Sequence, residues 1–336
     1  MKFYAGIDLH ANNNVLAVLN ETGQLVCQRR LSNVVSVVAQ ELERFRSGLV
    51  GVVVESTFNW YWLVDGLQAA GYRVHLANTT AIQPYQGIKH TNDLSDARWL
   101  AQMLRQKILP EGGICPVGLR AWRDLGRRRM QLVQQRTSQI VFLQMLLARV
   151  QGHRPSRGTV RQLDVKALEQ PPAVCLNVAS GLRIIDALDT EIARIEKVLL
   201  AQVALETSFE RLQTVWGIGQ ILASVMALEI WDIHRFKTPG DLASYARCVS
   251  SSRLSNGKRK GQNNVRNGNP YLAWAFIEAA NFAAMHYPQA QAFVARKTEQ
   301  CNRALGIKAL ANKLARACFF VLRDQVAFDP SRVFGS

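Results

Sequence analysis

Two aspartates three residues apart, Asp93 and Asp96, stand in the stretch Thr91-Asn92-Asp93-Leu94-Ser95-Asp96-Ala97-Arg98. They open a segment that reads as a helix from Leu94 to Gln106. Residues at i and i+3 share a helical face, so the two like charges point the same way. A hard divalent cation removes that conflict, because Mg²⁺ is held by one or two carboxylates together with water and substrate phosphate. Taken alone, the eight residues are better read as an N-cap (Asp93) and a first-turn acid (Asp96), both favoured there by the helix dipole. Two acids further upstream change that balance.

The elements that would position those acids are strands. Phe3-Tyr4-Ala5-Gly6-Ile7-Asp8 reads as a buried strand ending in an acid. Leu49-Val50-Gly51-Val52-Val53-Val54-Glu55 is the apolar, β-branched run of a strand covered on both faces, and it too ends in an acid. Residues 15–20 and 24–30 read as a hairpin around the turn Glu21-Thr22-Gly23. Val34 to Arg46 has helical periodicity, Tyr61 to Ala70 reads as a helix closed by Gly71, and Arg73 to Ala77 is a short strand. A three-stranded meander followed by alternating strands and helices implies a mixed α/β sheet. Ligands of such sheets collect at the carboxyl ends of strands. Asp8 and Glu55 are therefore expected to meet there, with the Asp93/Asp96 helix closing the group from the side. Four convergent carboxylates cannot all stay ionised without cations. Two Mg²⁺ ions resolve the repulsion and would suit phosphodiester cleavage. Singly, each acid also has a structural reading: a capped strand end for Asp8, a hydrogen bond to Ser56-Thr57 for Glu55.

The charge balance points to the same substrate class. The 336 residues carry a formal net charge of +16, which implies a polyanionic partner. The charges cluster. Arg120, Arg123, Arg127, Arg128, Arg129 and Arg136 face the single acid Asp124 in their run. Arg253, Lys258, Arg259, Lys260 and Arg266 have no acid among them. The six cysteines are scattered with no CxxC pair, which disfavours a zinc ribbon or a disulfide framework and fits a reduced, cytoplasmic chain. The opening MKFYAGIDLH lacks a long apolar segment, so no secretory signal is expected, and no apolar run is long enough to span a bilayer.

The middle of the chain is helical. Ile140, Leu143, Leu147 and Val150, and then Ile185, Leu188, Ile192, Ile195 and Leu199, follow heptad spacing on either side of a polar connection from His153 to Pro172. This predicts an antiparallel coiled-coil arm suited to dimerisation, or two amphipathic helices packed within one domain. Residues 212–223 carry Gly217 and Gly219 between two helical segments, a helix-hairpin-helix pattern whose exposed N–H groups can hold a phosphate without reading sequence. Residues 250–270 then form a polar, glycine-rich, basic loop, and Pro270 starts a helix over Tyr271 to Met285. A serine amid cations could serve as a nucleophile. Chemistry alone does not choose among Ser250, Ser251, Ser252 and Ser255. Residues 289–326 read as helical.

These motifs, in this order, resemble the DEDD transposases of the insertion sequence 110 family, which includes the Piv-type DNA invertases. The resemblance runs through Gly6-Ile7-Asp8, Val54-Glu55 and Lys89 to Ala97 in the first half. In the second it runs through Trp216-Gly217-Ile218-Gly219, Leu242 to Tyr245, Ser255-Asn256-Gly257-Lys258 and Asn267-Gly268-Asn269. It implies a RuvC-like, ribonuclease-H-fold domain over residues 1–120, with Asp8, Glu55, Asp93 and Asp96 binding Mg²⁺. A helical coiled-coil region would follow over 121–206, then a mainly α transposase domain over 207–326 and a tail over 327–336. It further implies that Ser255 attacks DNA to form a covalent phosphoserine. A structured noncoding RNA would select donor and target DNA, and dimers would assemble into tetramers. From their charge clusters and the helix-hairpin-helix pattern, Arg127, Arg128, Arg129, Gly217, Gly219, Arg253, Lys258, Arg259, Lys260 and Arg266 are the expected nucleic-acid contacts. Trp216, Arg247-Cys248-Val249-Ser250, Asn256 and Arg266 depart from the family pattern; the four acids do not. Two other functions account for part of the same residues: a hydrolytic junction nuclease of the RuvC type, which needs the acids and not Ser255, and a non-catalytic architectural protein, for which the net charge suffices. Gly6-Ile7-Asp8 also resembles the first phosphate strand of actin-fold ATPases, but the second glycine-rich phosphate loop is missing.

Overall fold

Strand β1 (Phe3–Leu9) alternates two environments. Ala5, Ile7 and Leu9 join the larger apolar cluster of the sheet, while Gly6 and Asp8 take the opposite face. β1 pairs antiparallel with β2 (Asn13–Asn20), which pairs antiparallel with β3 (Leu25–Ser32). The β2–β3 turn is closed by Asn20, whose Oδ1 accepts from the Thr22 and Gln24 amides. β4 (Leu49–Glu55) runs parallel to β1, β5 (Val74–Ala77) runs parallel to β4, and β6 (Glu111–Gly112) closes the edge antiparallel. The sheet order is β3-β2-β1-β4-β5-β6. These coordinates come from a computed structural model describing residues 1–82, 93–203, 207–249, 252–255, 258–262 and 267–335; for 93–94, 252–255 and 258–262 the backbone alone is described.

Helices α1 (Val35–Glu43) and α2 (Tyr61–Ala69) cover one face of the sheet through Val38, Leu42, Leu63, Val64 and Leu67. Helix α3 (Asp93–Gln106) covers the other. Its Ala97 packs with Val15 and Ala17, and its Leu100 and Met103 with Val53 and Ala77. The meander, the parallel pair and the three helices expected from the sequence are all present, and the two-residue strand β6 is an addition. This mixed α/β sheet forms one compact unit, Met1–Val117, and residues Gly118–Ser336 form a second.

The second unit is helical apart from one hairpin, among the described residues. It contains α4 (Val117–Gln151), α5 (Arg157–Arg161), α6 (Pro172–Val203), α7 (Thr207–Gln213), α8 (Gln220–Ile230) and α9 (Pro239–Tyr245). Strands β7 (Ser252–Ser255) and β8 (Lys258–Gln262) come next. They are followed by α10 (Pro270–His286), α11 (Pro288–Gln300), α12 (Arg303–Arg323) and α13 (Pro330–Phe334). Helices α4 and α6 run antiparallel. Arg129 pairs with Glu196 and Arg136 with Asp189, and a Cβ at Gly181 would touch Leu143. Those α4 positions are seven residues apart, as the heptad pattern requires. The distal ends bury Ile140, Leu143, Leu147, Val178 and Ile185 together with Val160 of α5. Nearer the rest of the unit, Leu132, Ile192, Ile195 and Leu199 join one cluster with α7 to α12. Among the described residues no helix is long and apolar enough to cross a membrane.

Candidate active site and nucleic-acid interface

In the first unit the acids converge. The β1–β4 register pairs Ile7 with Val54, so the next residues, Asp8 and Glu55, stand side by side at the carboxyl ends of two parallel strands. Alternation puts both on the α3 face. Gly6, two residues before Asp8, is why α3 can lie so close. A Cβ there would stand 2.2 Å from the Ala97 carbonyl oxygen and 2.6 Å from the Ala101 nitrogen. With the α3 backbone seated on β1, Asp96 is carried to the same strand ends. The electrostatics register the approach. Burial, a hydrogen bond with Asp8, and the charges of Asp8 and Asp96 push the Glu55 carboxyl up to about 8, against a smaller opposing contribution from the Leu9 backbone. Asp8 is only 4% exposed, so its charge is poorly screened by water. The Asp93 carboxylate lies outside the described residues.

One neighbour was not anticipated. His10 Nε2 lies 3.4 Å from Asp8 Oδ2. The His10 carbonyl accepts from both Asn33 Nδ2 and Asn59 Nδ2, and its amide donates to the Asn13 carbonyl, so the turn after β1 is held from three sides. Asp8-Leu9-His10 carries the only sequence signal for this contact, a histidine two residues beyond a strand-end acid. Among the described residues no three His, Cys, Asp or Glu side chains form a group that could by itself hold a metal ion. The donor chemistry nonetheless fits a hard cation. The acids are all-oxygen donors, they lie on one face, and Asp8 and Asp96 disfavour the ionisation of Glu55, a conflict that a divalent cation relieves.

In the second unit the structure sorts the predicted contacts. Of the six arginines in the Arg120–Arg136 run, Arg128 alone is well exposed. Arg120 and Arg123 are buried. Arg127 donates from Nε and Nη2 to the two Glu229 carboxylate oxygens, at 2.6 and 2.8 Å, and lies over the Tyr271 ring. Burial works against the Arg127 charge, but the Glu229 hydrogen bonds and charge outweigh it and raise its pKa. Arg129 is engaged by Glu196 and Arg136 by Asp189. Gly217 has φ +79°, and a Cβ there would stand 2.1 Å from the Ala279 carbonyl oxygen, so this glycine seats the α7–α8 turn on α10. Gly219 is the N-cap of α8, with no neighbour within 4 Å of a Cβ built there.

Ser255 ends β7, paired across the hairpin with Lys258 at the start of β8. The basic segment is thus a β-hairpin and not an open loop. The sequence signal for it is the dipeptide Asn256-Gly257 between the two strands, a strong hairpin former. Arg266 lies outside the described residues, as do the side chains of Arg253, Ser255, Lys258, Arg259 and Lys260. Cys248, just before the hairpin, is no rival nucleophile, since burial pushes its thiol up to about 12.

Paired acids at the ends of parallel strands, a helix bringing a third, and a basic hairpin in a separate helical unit define a protein that acts on nucleic acid. Comparison with known proteins narrows the class. A DEDD transposase family model of the IS110 type matches residues 5–151, and a model described as the transposase IS116/IS110/IS902 family matches residues 209–295. The chain is 24% identical over 345 aligned residues to a "Probable family 20 transposase" of Pseudomonas aeruginosa, covering 97% of this chain and 98% of that one. It is 25% identical over 331 residues to a "Transposase for insertion sequence element IS1111A" of Coxiella burnetii, covering 93% of this chain and 84% of that one. Both halves match the same family in chain order, and the chain belongs to the IS110-family insertion-sequence transposases.

Proposed function

We propose that this transposase cuts and rejoins DNA with a RuvC-like acid site in its first unit and a serine nucleophile in its second. The observation that carries the reading is the β1–β4 register, which sets Asp8 and Glu55 side by side at the carboxyl ends of two parallel strands with α3 seated on Gly6; burial and the neighbouring acids raise the Glu55 pKa in keeping with it. An enzyme does not gain stability by burying Glu55 against Asp8 within reach of the Asp96 charge; it gains a place for cations. Asp8, Glu55 and Asp96, with Asp93, would hold Mg²⁺, two ions per site. The bound ions would supply charge stabilisation at the scissile phosphate and at the attacking and leaving oxygens. The Ser255 hydroxyl loses its proton and its oxygen bonds to phosphorus. The phosphorus–oxygen bond to the leaving deoxyribose breaks, and that oxygen takes up a proton. The same exchange in reverse rejoins the strand, conserving the bond energy in the phosphoserine.

Lys258, beside Ser255 in the hairpin register, and Arg253, Arg259, Lys260 and Arg266 would hold the DNA backbone. Arg128 is the exposed member of the α4 run and the open α8 N-terminus at Gly219 is a further phosphate contact. Arg127 and Arg129, whose charges are balanced by Glu229 and Glu196, would contribute less. The family resemblance and the net charge of +16 support a structured noncoding RNA as guide, and the long α4–α6 pair supports dimers that assemble into tetramers in the cytoplasm, at the nucleoid when bound.

The test is cleavage of labelled element-junction DNA with Mg²⁺ and the element's RNA, read on a denaturing protein gel. A protein–DNA band lost in both Ser255→Ala and Glu55→Ala is expected. Cut DNA without such a band would replace this reading with the hydrolytic nuclease. Salt-dependent binding with no cleavage, insensitive to Mg²⁺ and to Glu55→Ala, would leave only an architectural role.

A further inference from the structure

The second unit buries a carboxylate that the reaction above does not use. Glu229 lies in the last turn of α8 and is 2% exposed. An acid at a helix C-terminus opposes the helix dipole, so Glu229 is not placed there for the helix. Its Oε2 accepts from the Arg127 guanidinium and, at 2.7 Å, from the buried Nδ2 of Asn269. Asn269 joins several elements. Its Oδ1 accepts from the Tyr271 and Leu272 amides and so caps α10, and its own amide donates to the Tyr245 carbonyl at 2.6 Å.

Tyr245 and Asn269 are the two feet of the segment that carries the serine hairpin. The feet are clamped at other points as well. Arg247, at φ +55°, donates from Nε to the Asn267 carbonyl and from Nη2 to the Gly268 carbonyl. Gly268, at φ +91°, lies so close to Tyr245 that a Cβ would stand 2.5 Å from its carbonyl oxygen. A two-stranded hairpin has no core of its own and takes its position from its attachments.

We propose that Glu229 is a positioning residue for the serine hairpin, acting through Asn269. It fixes the outgoing foot, the cross-links to Tyr245 and Arg247 transmit that position to the incoming foot, and β7–β8 is held in one place. Arg127 offsets the charge that the buried acid would otherwise carry alone. The catalytic consequence rests on the reading of Ser255 as nucleophile; the positioning itself does not.

The experiment uses the full chain and separates capping from positioning. Asn269→Asp keeps an N-cap acceptor for α10 but faces Glu229 with a second carboxylate in place of a donor. Combined with Glu229→Gln it restores a donor–acceptor pair of reversed polarity and the net charge of the Arg127 cluster. The first readout is amide hydrogen exchange without DNA or metal. In Asn269→Asp the β7 and β8 amides should exchange about tenfold faster, the size of one lost buried hydrogen bond, with α8 and α10 unchanged, and the double variant should return them to the wild-type rate. The second readout is the rate of protein–DNA adduct formation, which should fall in Asn269→Asp and recover in the double variant while DNA affinity stays constant. Unchanged hairpin exchange would overturn the proposal. So would faster exchange spreading equally through α8 and α10, which marks a merely structural acid, or a double variant that fails to recover. A wild-type chain without a Ser255-dependent adduct would instead sink the serine reading, and the exchange result would still decide the role of Glu229.

Discussion

Asp8 and Glu55 stand side by side, one residue beyond the last paired positions of two parallel strands, and share a hydrogen bond. Two carboxyl groups can stand so close only if a proton, or in its place a cation, lies between them. Much of the behaviour expected of the first unit follows from that contact.

The Glu55 carboxyl, pushed up to about 8 from its ordinary 4.5, binds its proton more tightly in the folded chain than in the unfolded one. The folded state is therefore favoured most at low pH. That contribution starts to fade as pH rises past the unfolded value and is gone once pH passes the folded one, near 8. Without divalent cations, thermal stability should decline between pH 5 and about 8.5, and Glu55→Gln should flatten the decline. Mg²⁺ or Mn²⁺ should raise the melting temperature more at pH 8.5 than at pH 6, because proton and cation compete for the same oxygens. Differential scanning fluorimetry across that range checks both points. A pH-independent cation effect would remove Glu55 from the metal site.

Gly6→Ala should destabilise the first unit by about 1–3 kcal/mol, the usual cost of overpacking, because the new methyl would meet helix backbone and not a flexible side chain. Chemical denaturation followed by circular dichroism would measure it. Displacement of α3 should also move Asp96 from Glu55, so the Glu55 titration should shift back toward its ordinary value.

The arginines of α4 should divide by partner. Arg128→Ala is expected to leave stability unchanged and to reduce the salt slope of DNA binding by about one. Arg127→Ala should cost about 3 kcal/mol of stability, since it leaves the buried Glu229 without its counter-charge. Binding isotherms at several salt concentrations, paired with unfolding curves, distinguish the two effects. Equal loss of salt slope in both variants would return Arg127 to the DNA interface.

Ser255→Ala should abolish the covalent adduct while leaving DNA and RNA binding within about twofold, because a hydroxyl makes at most one of the many phosphate contacts. Ser251→Ala and Ser252→Ala should keep the adduct. Persistence of the adduct in Ser255→Ala would transfer the nucleophile to another serine.

The strands of the first unit, their helices and the strand-end positions of Asp8 and Glu55 were legible in local pattern: an apolar run closed by an acid for β1, a continuous β-branched run closed by an acid for β4, and 3.6-residue spacing for α1. The heptads of α4 and α6 were legible for the same reason, and the observed register steps by seven along α4. Charge was a poorer guide. The run of arginines on α4 looked like a nucleic-acid surface, yet most of its guanidinium groups are buried or meet carboxylates that lie 53 to 102 residues away in sequence. Pairing at that distance leaves no local trace. The joining of Glu229 to Asn269 was invisible for a related reason, since it depends on where elements pack and not on what forms them.

The sequence by itself determined most element types, the family resemblance, and the strand-end positions of Asp8 and Glu55, because each is written in residue type and short-range spacing. Only the tertiary structure decided which charges face outward and which are balanced internally, that Gly6 admits α3 close enough to bring Asp96 to Glu55, and that a buried acid grips the foot of the serine hairpin. Those are outcomes of long-range packing, where steric fit and desolvation select among contacts that the chain leaves equally open.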